Sequence, residues 1–237
     1  MAANSLCLGQ RQACAIRVTR LNADCTPAEG DDNAVVSAGL VTLNIDPEVE
    51  EGATYQPKNA CDQIRWTAEE EDRITRWTGD FEFSDFDYEL MEVTYNCALL
   101  VGAVGSPWEG QNIGVSGAGP NSPSGNGVGI ELWVKNAGLG DQGQCGPVAE
   151  VPPYTRYVLP LVKIRPGGRT FNVDAGVLAG SIKASPNPQW GQGPWGDWQA
   201  EVGFEDDSLM SESWVQFWDD DIPATDGCGS IQVPAGS

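Results

Sequence analysis

The stretch RWTGDFEFSDFDYELMEVTYNCALLVG, residues 76–102, changes its hydrophobic period in the middle. Trp77, Phe81 and Phe83 fall on one parity, with Arg76, Thr78, Asp80 and Glu82 on the other, which predicts a half-buried strand. From Phe86 onward the apolar positions recur at helical spacing, through Leu90, Val93, Cys97 and Leu100, and predict one helix with an apolar stripe. Ser84 with Asp87 three residues later fits a capping box, and Asp85, Asp87 and Glu89 put negative charge at the positive end of the helix dipole. Gly102 supplies the stop.

Strand patterns dominate elsewhere. ACAIRVTRL, residues 13–21, reads as a short strand. Residues 39–51 alternate, with Val41, Leu43, Ile45 and Val49 against Thr42, Asn44, Asp46, Glu48 and Glu50. Pro47 lies inside that run and cannot donate to a ladder, so this end is an edge or protrudes from the sheet. EGATYQPKNA turns the chain, and DQIRWTA, residues 62–68, brings it back with Ile64 and Trp66 on one parity. A loop rich in Gly, Ser, Pro and Asn covers 103–127. GVGIELWVK then alternates Val128, Ile130, Leu132 and Val134 against Glu131, Trp133 and Lys135. YTRYVLPLVKI, GRTFNV and GVLAGSIKA read as further strands, and WVQFW in the tail as one more.

The sum is a mainly β, antiparallel sandwich or barrel with one flanking α-helix, because one helix cannot cover both faces of a sheet. Residues 1–35 read as an N-terminal extension, 36–200 as the β domain, and 201–237 as an acidic segment of the same domain.

Charge sharpens the picture. Lys and Arg total 13 against 34 Asp and Glu, a formal net charge of −21 in 237 residues. Groove binding to nucleic acid needs a basic footprint, and an anionic membrane surface would repel this chain. No apolar run approaches the ~20 residues of a membrane span, and MAANSLCLGQRQACAIRV has no charged-then-apolar leader pattern, so the product is expected to stay where it is made.

Candidate chemistry is thin. Histidine is absent and the seven cysteines show no CxxC spacing, so neither a Cys/His zinc site nor a His-assisted nucleophile is supported. Cys7, Cys14 and Cys25 form a cluster able to make a disulfide in an oxidising medium, and Cys97 reads as a core residue. The DDD run at 219–221 lacks the spacing and turn glycine of a calcium loop. The Gly-rich segments do not open helices and so do not cradle phosphate. The expectation is a non-enzyme without cofactor or metal. Of the nine tryptophans, Trp66 and Trp77 fall on core parity, whereas Trp133, Trp190, Trp195 and Trp198 suggest a contact surface.

Three stretches carry a resemblance. "GDFEF" enters an acidic-capped segment ending in "LLVG"; "YVLPLVKI" is followed by a Gly turn; and an "NPQWGQGPWGDW" segment closes the last strand. In element order the chain resembles the major tail protein, the tail-tube subunit, of long-tailed (siphovirus-type) actinobacteriophages, over roughly residues 36–200. That resemblance implies a virion protein, assembled in host cytoplasm as stacked homohexameric rings, with a continuous inner barrel through which viral DNA passes without specific binding. It also implies tape-measure and terminator proteins as partners, and no membrane. Asp46, Glu48, Glu50, Asp80 and Glu82 are then the candidate lumen-facing acids, repelling a duplex that carries one charge per ~1.7 Å of axis. The clearance should fall within a Debye length of about 10 Å. Gly52, Ala53, Thr54, Tyr55, Gln56, Pro57, Lys58 and Asn59 are the candidate inter-ring loop, and Tyr88, Tyr95 and Trp133 candidate subunit contacts. The alternatives are a capsid decoration or head–tail connector protein, or a β-sandwich that binds carbohydrate through its tryptophans.

Overall fold

The computed structural model describes residues 8–59, 61–84, 87–117, 125–138, 153–167, 170–171, 176–191, 193–194, 215–219, 223 and 230–233. In chain order the strands are β1 (Leu8–Arg20), β2 (Gly30–Ser37), β3 (Leu40–Leu43), β4 (Asp46–Glu50), β5 (Thr54–Tyr55), β6 (Ala68–Glu69) and β7 (Arg73–Phe83). After helix α1 (Tyr88–Tyr95) come β8 (Ala98–Val101), β9 (Asn112–Ser116), β10 (Val128–Gly138), β11 (Tyr154–Pro166), β12 (Thr170–Phe171), β13 (Gly176–Ser185), β14 (Val215–Asp219) and β15 (Ser230–Val233). The fold is mainly β: one large antiparallel sheet curls into a half-barrel. Its order is β15-β2-β1-β10-β11-β13-β7-β3, with β4 continuing along β7 and β14 pairing the first half of β11.

The stretch set apart as an N-terminal extension supplies β1 and most of β2, the third and second strands of this order, and the acidic C-terminal segment supplies β14 and β15 to the same sheet. The sequence reading missed β2. Its AVVS run is too short to show a period, yet Ala34, Val35 and Val36 are all buried.

Alternation sets the inner face. Ile16, Val18, Phe81, Phe83, Ile130, Leu132, Val162, Leu178 and Ile182 meet Leu90, Met91 and Val93 of α1 in one core. Fully burying a side chain of this kind contributes roughly 1.5–3 kcal/mol, so this core dominates the stability of the body. The other face of the central strands is covered too. Trp190 packs on Leu21 and Val158, and a Cβ at Gly129 would run into its ring. A tryptophan read as a surface aromatic is therefore a core residue.

The helix is shorter than its stripe suggested. Asp87, not Ser84, is the N-cap, its carboxylate accepting from the Glu89 amide at 2.9 Å. Ser84 instead turns its amide and hydroxyl to the Gly39 carbonyl, and Asp85 and Phe86 lie outside the described residues. Asn96 takes the left-handed conformation at φ 52 and ends the helix. Ala98–Val101 then runs out as β8 of a hairpin with β9. Cys97 is buried, as expected of a small apolar residue.

Two one-residue bulges correct the parity of residues 39–51. Leu40 faces Phe83 and Thr42 faces Glu82, so Val41 is extra and stands 60 % exposed. Further along, Glu48 faces Arg76 but Val49 faces Ile74, which leaves Thr75 as the extra residue of β7, its hydroxyl donating to the Glu48 carbonyl at 3.0 Å. Between the bulges Gly79 lets the strands close: any Cβ there would overlap the Asn44 carbonyl.

Candidate assembly surface

Beyond Thr78 the β4–β7 pair leaves the body as an arm. Pro47 sits on this outermost strand, where its missing amide costs no ladder bond. Every described residue from Cys61 to Arg76 is exposed. The arm nevertheless has local order. Gly52 donates its amide to Asp72 at 2.8 Å, and Thr54–Tyr55 pairs with Ala68–Glu69. Asn59 Oδ1 accepts from the amides of Cys61 and Gln63, each at 2.9 Å, and Lys58 pairs with Asp62. The candidate loop Gly52–Asn59 thus forms one side of the distal half of the arm. DQIRWTA does not form the expected strand there. A Lys58–Ile64 bridge and the two-residue β6 replace it.

The arm carries apolar side chains that are about half exposed among the described residues. Val49, Tyr55, Ile64, Trp66 and Ile74 are each 48–56 % exposed. Trp66, expected in the core, therefore lies on the surface, while Trp77 at the root of the arm is half-buried against the core. The β8–β9 hairpin is similar: Leu100, Val101, Val104, Trp108 and Ile113 are all exposed. Covering the exposed halves of five such side chains contributes on the order of 5 kcal/mol, enough to favour association but not to fold an arm alone.

The five candidate acids lie on one face of β4 and β7, as their parity predicts, but not as a bare acidic wall. Glu48 accepts from both the Nε and Nη2 of Arg76, and this hydrogen-bonded guanidinium holds its carboxyl below the ordinary value while raising Arg76. The Thr75 bulge brings Arg73 opposite Glu50, at 3.3 Å. Asp46, Asp80 and Glu82 make no ion pair among the described residues. Cross-strand register extends this face onto β13 and β11: Asp80 faces Ser181, Thr78 faces Lys183, Lys183 faces Lys163 and Ser181 faces Arg165. The face is therefore acidic on β4 and β7 and basic on β13 and β11. Sequence reasoning missed the basic half because the three cations lie on two strands, about twenty residues apart, and only register joins them.

The three candidate contact residues separate. Tyr88 is exposed at the start of α1. Tyr95 is buried against Phe81, its hydroxyl donating to the Ala179 carbonyl at 3.1 Å. Trp133 is 2 % exposed, with the guanidiniums of Arg17 and Arg156 at 5.1 and 4.8 Å from its ring. Tyr95 and Trp133 are thus interior, not contact, residues. For Trp133 the reason is that the second face of β10 is covered as well as the first.

Glu131 lies between the same two arginines. Arg17, directly opposite it on β1, donates from Nε at 2.5 Å and Nη2 at 2.9 Å, and Arg156 of β11 donates to Glu131 Oε1. All three are buried. Burial pushes the Glu131 carboxyl up, but the two guanidiniums outweigh it and hold the pKa at about 2.

Cys14 and Cys25 carry free thiols, so they do not pair with each other, and Cys7 lies outside the described residues, as do Trp195 and Trp198. Among the described residues no group of three or more His, Cys, Asp or Glu is placed to hold a metal ion. No helix among the described residues is long and apolar enough to cross a membrane. No family model matches this chain, and no curated protein matches its sequence.

Proposed function

We propose that this protein is a self-assembling structural subunit, of the kind that forms the tail tube of a long-tailed phage, stacking as homohexameric rings around a channel for the genome. The observation that carries this reading is the arm. A protein of this size that stays monomeric gains nothing by holding Tyr55, Ile64, Trp66 and Ile74 on an ordered projection with no core beneath it, whereas a second copy would cover them. Among the described residues β3–β4 and β15 form the outer edges of the sheet, which supports the same reading, since pairing between copies removes the liability of exposed ladder groups. In such a tube the polar face of β4 and β7 lines the bore, and Asp46, Asp80 and Glu82 supply charge that no neighbouring arginine neutralises. Tape-measure and terminator proteins would be its partners at the ends.

The test is negative-stain microscopy with sedimentation velocity on the full chain over a wide concentration range. Rings or tubes are expected, and their loss on replacing Ile64 and Trp66 with Ser. Uniform monomers at every concentration would sink the reading.

A further inference from the structure

A cavity of about 620 Å³ opens between the C-terminal end of α1, the Gly125–Gly127 segment and strands β11 and β13. Four of the chain's 13 cationic residues line it: Arg20, Lys163, Arg165 and Lys183. Arg20 is committed, bonded to the Glu92 carboxylate at 3.2 Å and to its carbonyl at 3.0 Å. Lys163, Arg165 and Lys183 form no ion pair among the described residues, although acids outnumber bases by more than two to one in this chain.

Their placement costs stability. Lys163 and Lys183 stand directly opposite each other across β11 and β13, with Arg165 two residues along on the same face beside Ser181. Directly opposed like charges destabilise an antiparallel pair. Nearby acid does not resolve this: Glu48 feels the charge of Lys183 but is bonded to Arg76, and Asp80 lies across from Ser181 rather than from a cation. Leu21, Val128 and Val162 also line the cavity, and Lys163, Arg165 and Lys183 stand exposed to solvent, open to an anion.

We infer that Lys163, Arg165 and Lys183 form a phosphate-binding site, where one tetrahedral dianion bridges the two opposed ammonium groups and accepts from the Arg165 guanidinium. A dianion resolves the Lys–Lys repulsion, and the Ser181 hydroxyl offers a further donor. Inorganic phosphate supplies that dianion; a nucleic-acid phosphodiester offers the same two non-bridging acceptor oxygens with a single negative charge, and adjacent phosphodiesters supply a second charge. The site does not depend on the tube reading. If that reading holds, it adds one phosphate contact per subunit to a bore that otherwise repels its cargo.

The experiment uses the full chain at low salt, with inorganic phosphate followed by thermal shift and calorimetry, and a fluorescent 20-base-pair duplex followed by anisotropy. A Lys163→Gln/Arg165→Gln/Lys183→Gln variant should weaken binding at least about tenfold, whereas Lys135→Gln, an exposed cation away from the cavity, should not. For the duplex, the slope of log K against log salt should be shallow, with about 0.9 per phosphate engaged. Duplex binding stronger than phosphate binding assigns the site to nucleic acid, and phosphate binding alone assigns it to a free anion. Absence of both, or binding that the triple variant leaves unchanged while its circular dichroism matches wild type, overturns the inference.

Discussion

The centre of the sheet and the arm are built from the same kind of pattern and end in opposite conditions. On β10, Val128, Ile130 and Leu132 are buried on one face, and Glu131 and Trp133 on the other. On the arm, Val49 and Ile74 face each other across β4 and β7 and both stay exposed. Alternation reports that a strand has two different faces. Whether either face is covered depends on how many strands flank it and what lies above, which is a property of the whole sheet. A buried charge network and a bare apolar projection can therefore both follow from one period of two.

That contrast can be broken at its centre. Glu131→Ala leaves Arg17 and Arg156 buried without their carboxylate and should cost about 3–5 kcal/mol, read from urea midpoints. Leu90→Ala, which opens a cavity under α1, should cost about 2–5 kcal/mol by the same measurement, with no change in the pH dependence. The pH profile isolates the network. The folded-state pKa of Glu131 is depressed to about 2 from an ordinary 4.5, so its contribution is complete above 4.5 and is lost as pH falls through about 2. Between those limits the wild type should lose stability more steeply than Glu131→Gln, and equal slopes would remove the network from the account of acid unfolding.

On the arm, deleting residues 52–71 and joining Glu51 to Asp72 through Asn-Gly should leave the melting temperature within about 2 °C of wild type, a shift of at most about 1 kcal/mol. Assembly should be abolished. A large loss of stability would show that the arm belongs to the folding unit. The smallest effect is expected for Glu48→Gln. Its pair with Arg76 is exposed to water on both partners, and the melting temperature should hardly move.

The fold class, the strands β7, β10, β11 and β13, and the protruding end at Pro47 were legible because each rests on local period or on one residue's chemistry. What was not legible needed register. Arg17 and Glu131 are 114 residues apart, and only the β1–β10 pairing sets them face to face. A hint was present: arginines inside the apolar runs ACAIRVTRL and YTRYVLPLV, in a chain poor in cations, are expensive to bury alone and so imply a buried acid. The length of α1 was misread because Cys97 and Leu100 continue its stripe by coincidence, while Asn96 interrupts the backbone. Parity placed the five candidate acids on one face, but the arginine partners of Glu48 and Glu50 were hidden, because they follow from the β4–β7 register and, for Arg73, from its one-residue bulge.

That extra residue has a geometric consequence. A bulge bends and over-twists the strand that carries it, and Thr75 stands at the root of the projection, pinned to the Glu48 carbonyl. In the proposed assembly, the direction in which one copy reaches for the next, and so the pitch and handedness of the polymer, would be set there. Removing this single threonine would rotate the arm about its own axis and re-aim Ile64 and Trp66, leaving the body as stable as before and its copies unable to meet in register.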